Sequence, residues 1–466
     1  MKLQPLTLAH NGQQNLDGID PLDGRYFDNE VAAYLSERSR IAYQAYIEAA
    51  LAQALADAGV CSRKVANEIE EAARNIRAED VYEEELTTKH DIKAVVNCIK
   101  AQISEEAQPF VHFGATSYDI IASASALQMK DAITNIVVPR LKSLLSTLVT
   151  QSNQYADTVQ IGRTHGQHAV PITFGFALSE YVSRIGKTTE AIEALSGELY
   201  GKFSGAVGAY NALSLFVADP FKFERAVLAK VGLEPAEYSK QIVPAENMVR
   251  LIDELAIAAG IMANLAHDMR HLQRTEIGEV REKFEKGQTG SSTMAHKRNP
   301  WNFENVISMS KQVIAQTVNA NLNLTSEHQR DLTDSASSRF YTIVPASIAS
   351  MTARLDRIMQ KLEVDEAAMQ KNLGLTGGAI AAEPLYLLFE KYGHTTAHEK
   401  AKDLAHQALQ NNKPLIDVIS KDKEAKDYWL QFSPQEKQII TQPEQFYTGL
   451  AAKKARKITV EWAKKI

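Results

Sequence analysis

The chain has little cysteine. Cys61 and Cys98 are the only two in 466 residues. Two thiols build no disulfide framework, so a reducing cytoplasm fits, and both are expected to be buried. A basic excess is missing as well. The formal net charge is -6 and 23% of residues are charged, which leaves no footprint for nucleic acid. The first 20 residues carry one lysine and no signal-peptide core. No run approaches the apolar length of a membrane helix, so no membrane partner is expected. The G-x-G-x-x-G and Walker A patterns are absent, which disfavours a nucleotide-cofactor fold. No cofactor is expected.

Proline is scarce, at 14 residues, and none occurs between Ala245 and Asn299. There Leu251, Leu255, Ala258, Met262, Leu265, Met269 and Leu272 recur in steps of four and three, one face of a helix packed along a neighbour. A second stripe runs from Ile120 through Leu127, Ile133, Leu141 and Leu148, with a kink expected at Pro139. Further long helices are expected over 173–199, just after Pro300, and over 343–362. A helix of 25 residues spans roughly 37 Å, too long to fold back on one small core. The pattern predicts a helix bundle extended by subunit association. Strand alternation is weak, so the fold class is all-α. Boundaries fall near 117 and 365. They give an N-terminal helical domain (1–117), a central long-helix bundle (118–365) and a C-terminal small helical domain (366–466).

Six polar clusters interrupt the helices. Arg25 and Tyr26 end the first. Lys89, His90 and Asp91 lie in the second. His112, Gly114, Thr116 and Ser117 make the third, and Arg163, Thr164, His165, Gly166 and His168 the fourth. The fifth, residues 290–300, is the most informative. Ser291 and Ser292 follow Gly290, with Met294, Lys297, Asn299 and Pro300 behind them. Such a loop can present a hydroxyl, an ammonium and backbone N–H groups to one anion, which suits proton removal beside a carboxylate. The sixth cluster holds Arg330, Asp331, Ser335 and Arg339. Bland explanations stand beside each. Thr116, Ser117 and Asp119 can simply cap a helix, and Arg330 and Arg339 can be ordinary ion-pair partners. His165 and His168 invite a metal, but no Glu or Cys completes a ligand set, so none is expected. Residues 201–208 are glycine-rich without phosphate-loop spacing and read as a close-packed turn.

Together the clusters resemble, in order and composition, the fumarase/aspartase superfamily. The segments around Arg25, His90, His165 and Arg330 are similar to its adenylosuccinate lyase branch. The resemblance covers residues 19 to 400. It implies a three-domain α protein with a tetrameric helical core and active sites shared between subunits. Its substrates would be small molecules, adenylosuccinate and the succinyl-carboxamide ribotide SAICAR, each losing fumarate. Residue by residue, it implies Ser291 as general base and His165 as general acid with Glu304 as its partner. Lys297 would favour the Ser291 alkoxide and, with Asn299, hold the succinyl carboxylates. Arg25, Tyr26, Lys89, His90, Asp91, Thr116, Ser117, Gln241, Met294, Asn299, Arg330, Ser335 and Arg339 would bind substrate. The chain departs from the family at Ala295, where proline is usual, and at Lys89, where Asn is frequent. Another superfamily lyase, acting on argininosuccinate, aspartate or malate, is the alternative enzyme. A non-catalytic helical scaffold is the alternative of a different class.

Overall fold

A computed structural model describes residues 3, 17–285, 287, 293–294, 296–329 and 332–466. Helices dominate it, and the long ones follow the apolar stripes: α8 (Phe174–Gly197), α10 (Glu246–Leu272), α11 (Trp301–Leu322) and α12 (Ile343–Gln360). Contacts divide the chain into two compact units. One comprises Met1–Leu141, Thr188–Gly260 and Ser308–Ala353. The other comprises Lys142–Lys187, Ile261–Ile307 and Arg354–Ile466.

In the first unit α1 (Asn29–Leu35) and α2 (Glu37–Asp57) precede three shorter helices, α3 (Arg63–Arg74), α4 (Ala78–Thr88) and α5 (Asp91–Lys100). Asp28 caps α1 by accepting from the Glu30 and Val31 N–H groups. Most of α2 is buried. Ala45, Ala49, Ala50, Ala52 and Ala54 are small, so α3, α6 (Ser117–Ala132) and α9 (Pro220–Val231) pack closely on it.

The kink expected at Pro139 is a π-helical turn over Ile133–Val137, leading into α7 (Val138–Gln154). Pro139 offers no N–H to the Asn135 carbonyl, and the Val138 N–H reaches back to the Ile133 carbonyl instead. The stretch Ser117–Gln154 is long and apolar enough to cross a bilayer, by length and composition alone. That corrects the expectation that no run approaches this length. Its Ile120, Leu127, Leu141, Leu144 and Leu148 side chains are buried in the protein core.

The second unit holds the element that the pattern did not announce. Strands β1 (Val159–Thr164) and β2 (Gln167–Thr173) form an antiparallel hairpin, with Arg163 opposite His168 and Thr164 opposite Gln167. A two-residue pair, β3 (Val280–Arg281) with β4 (Glu363–Val364), forms the other sheet. In the same unit Ser143 and Thr147 of α7 both donate to Asp356 of α12, at 2.6 Å each. The C-terminal helices close around Leu385, Phe389, Leu404, Ile419 and Phe432. Cys61 and Cys98 are free and only half-buried, rather than buried as expected, and burial pushes both thiols up.

Candidate active site

A cavity of 1290 Å³ lies in the first unit. Nine residues expected from the sequence line it: Tyr26, Lys89, His90, Asp91, Thr116, Ser117, Gln241, Ser335 and Arg339. Arg25 is exposed and is not part of the lining.

Local chain geometry sets each wall. Helix α4 ends in a left-handed residue, Lys89 at φ 53, whose N–H returns to the Glu85 carbonyl at 2.8 Å. His90 then caps α5 through Nδ1, which accepts from the Lys93 N–H at 3.4 Å. This leaves its Nε2 3.5 Å from Ser117 Oγ. Asp91 opens α5, and its Oδ2 accepts from the Arg339 guanidinium at 3.2 Å. The capping alternative for Thr116 and Asp119 also holds, because they form a reciprocal capping box at the start of α6.

Before that turn, His112 sits at φ 63 and donates to Glu48 twice. Its backbone N–H reaches one oxygen at 3.1 Å and its ring Nδ1 the other at 2.6 Å. Burial disfavours the imidazolium, yet the charge and hydrogen bond of Glu48 outweigh it, and the His112 pKa is raised. At the cavity wall, burial pushes Asp28 up, but the Arg140 guanidinium at 2.7 Å and two backbone N–H groups prevail and lower it.

The second unit carries His165, Met294, Lys297, Asn299 and Glu304. His165 and Gly166 form the two-residue hairpin turn at φ 53 and 74, the left-handed pair that a tight antiparallel turn requires. The imidazole is exposed. Directly behind it, fully buried Glu279 accepts from both ends of the Arg163 guanidinium (3.1 and 2.5 Å), from Gln160 (2.7 Å) and from Asn372 (2.7 Å). Burial, followed by the Arg163 charge, lowers His168. Glu304 accepts from Arg270 Nε at 3.1 Å. Lys297 and Met294 are exposed, joined by a turn in which the Lys297 N–H donates to the Met294 carbonyl at 3.0 Å. Gln273 accepts the Glu282 N–H at 2.9 Å and donates to the Arg298 carbonyl at 3.2 Å, so one amide joins the chain before the fifth cluster to the end of that cluster. Among the described residues no group of three or more His, Cys, Asp or Glu could hold a metal. Ser291, Arg330, Gly290, Ser292, Ala295 and Asp331 lie outside the described residues.

Sequence reasoning missed Glu48, Lys202 and Glu279 as supports. The partner of each is remote in the chain: His112 for Glu48, Asp119 for Lys202 and Arg163 for Glu279.

Two family models match the chain. The one described as Lyase covers residues 26–315, and the one described as Adenylosuccinate lyase C-terminal covers 326–436. The chain is 37% identical to an adenylosuccinate lyase of Pyrococcus abyssi, over 88% of this chain and 91% of that protein. It is 33% identical to the adenylosuccinate lyase of Archaeoglobus fulgidus, over 96% and 99%. Among solved structures, the 3-carboxy-cis,cis-muconate lactonizing enzyme from Pseudomonas putida superposes with a TM-score of 0.85 at 26% identity, covering 96% of this chain and 99% of that one.

Proposed function

We propose that this chain, which belongs to the adenylosuccinate lyase family of the fumarase/aspartase superfamily, eliminates fumarate both from adenylosuccinate, leaving AMP, and from SAICAR, leaving AICAR. Elimination breaks a C–N bond after removal of a weakly acidic proton beside a carboxylate, so the chemistry needs a base, an acid and support for the developing charge. Ser291 is the base, activated by loop N–H groups and the Lys297 ammonium. His165 is the acid that protonates the departing nitrogen, since an imidazole near neutral pKa suits that transfer. Glu304 orients it in the assembled enzyme, and Lys297, Asn299 and Met294 line the succinyl end. Thr116 and Ser117 bind a succinyl carboxylate. Arg25, Arg330, Ser335 and Arg339 bind phosphate, for which guanidinium forks are suited. Tyr26, Lys89, His90, Asp91 and Gln241 surround the nucleoside.

The observation that carries this reading is the convergence of nine residues, from five separate segments, on one cavity of the first unit. Assembly into a homotetramer belongs to the same reading. It is supported by an apolar stripe in that unit, Ile314, Val318 and Leu322 of α11, exposed at 46, 63 and 71%. The half-buried thiols suit a cytoplasmic enzyme.

The test is direct. Purified protein is offered adenylosuccinate, SAICAR and argininosuccinate, with fumarate release followed. Turnover of the first two supports the reading, and turnover of argininosuccinate alone overturns it. Sedimentation reads the tetramer.

A further inference from the structure

The glycine-rich segment 201–208, to which the lyase reading gives no task, is pinned beneath the turn that carries Thr116 and Ser117. Lys202 is fully buried, and its ammonium donates to Asp119 Oδ1 and to the Gly205 carbonyl at 3.1 Å. The Gly205 N–H donates to the same carboxylate oxygen at 3.2 Å. The other oxygen of Asp119 accepts the Thr116 N–H at 2.9 Å. Ser123 Oγ, one turn further along α6, accepts the Lys202 N–H at 3.0 Å and donates to the Lys202 carbonyl at 3.1 Å. The backbones are in close contact here. A Cβ on Gly201 would lie 2.4 Å from the Leu228 side chain and 2.9 Å from Ser123 Oγ.

A buried ion pair is a weak source of stability, because desolvation cancels much of its attraction. This pair has a geometric consequence instead. The two oxygens of Asp119 are divided between the glycine-rich segment and the hydroxyl turn, so the position of one fixes the position of the other. Lys202 itself is not part of the cavity lining.

We propose that Lys202 is a positioning residue for substrate binding: acting through Asp119, it holds the Thr116–Ser117 turn in the orientation that receives a succinyl carboxylate. The inference rests on the lyase reading and on the role it gives to Thr116 and Ser117. Without the ammonium, Asp119 is left as a buried, uncompensated carboxylate. It recruits other donors and draws the turn with it.

The experiment compares Lys202→Met with the wild-type enzyme in adenylosuccinate turnover and in product inhibition by fumarate and by AMP, with thermal melts as the check on folding. Fumarate reports the carboxylate subsite and AMP the remainder of the cavity. In the variant, KM and the fumarate inhibition constant are expected to rise together by roughly tenfold, the equivalent of one lost charged hydrogen bond. AMP inhibition and kcat change much less. The double variant Lys202→Met/Asp119→Asn removes the stranded charge but keeps an acceptor for Thr116, so it is expected to recover most of the fumarate binding. A purely structural lysine would weaken fumarate and AMP alike. That result, or unchanged fumarate inhibition in an active variant, or no recovery in the double variant, overturns the proposal. If Lys202→Met does not fold, Ser123→Ala loosens the same segment without stranding a charge, and it is read by the same split. A wild-type protein with no adenylosuccinate turnover sinks the lyase reading itself, an outcome distinct from all of these.

Discussion

Arg163 and Glu279 meet as a two-pronged ion pair behind the His165 turn, although 116 residues separate them in the chain. Glu279 is fully buried, and Gln160 and Asn372 occupy its remaining acceptor sites. The hairpin is thus fastened by a carboxylate with every lobe in use. The histidine beyond it stays exposed.

Removing one partner of such a pair leaves the other charged and buried. Arg163→Met is expected to lower unfolding stability by about 3 kcal/mol or more. Denaturant titration measures it. A loss near zero would mean that water reaches Glu279 and solvates it.

His165 itself adds little to the fold, because it is exposed and hairpin geometry holds its backbone. Asparagine tolerates the left-handed region but cannot transfer the proton. His165→Asn should therefore leave the melting temperature near wild type while turnover falls by roughly 10²- to 10⁴-fold. Ser291→Ala should lose turnover comparably. If neither variant slows elimination, the roles assigned to these two residues are wrong.

The long helices were legible because burial imposes a 3.6-residue period on apolar positions, and α8, α10, α11 and α12 each follow it. The hairpin was not. Gly162 and Arg163 interrupt its alternation where the register shifts between Ile161 and Arg163, and a Cβ at Gly162 would lie 2.7 Å from the Val170 carbonyl. Of the cavity lining, Tyr26, Lys89, His90, Asp91, Thr116, Ser117, Ser335 and Arg339 lie in polar clusters that stand out in the sequence. Lys202, Glu48 and Glu279 were not, since tertiary folding alone brings each to its partner.

Arg339 is held 3.2 Å from Asp91, at 45% exposure. A guanidinium fork can keep that contact and still grip a phosphate, whereas an ammonium is a point charge. Arg339→Lys is expected to raise KM for adenylosuccinate by about tenfold, and to affect a substrate analogue without the phosphate far less. Equal effects on both would remove Arg339 from the phosphate subsite.

His112 makes stability depend on pH. Its folded pKa is raised, so its contribution is fully present below the unfolded histidine value of about 6.5 and is lost as pH rises through the higher folded value. Melting temperature should decline across that interval, and Glu48→Gln should flatten the decline. A slope that survives in Glu48→Gln belongs to another group.

The five-residue π turn at Ile133–Val137 amounts to one amino acid spliced into a continuous helix. Excising one residue there would restore ordinary winding. Everything on the N-terminal side, including the two hydroxyls at the head of α6, would then swing by about 100° around the axis. A one-residue deletion in this stretch would therefore displace both hydroxyls, even though no side chain within it touches the cavity.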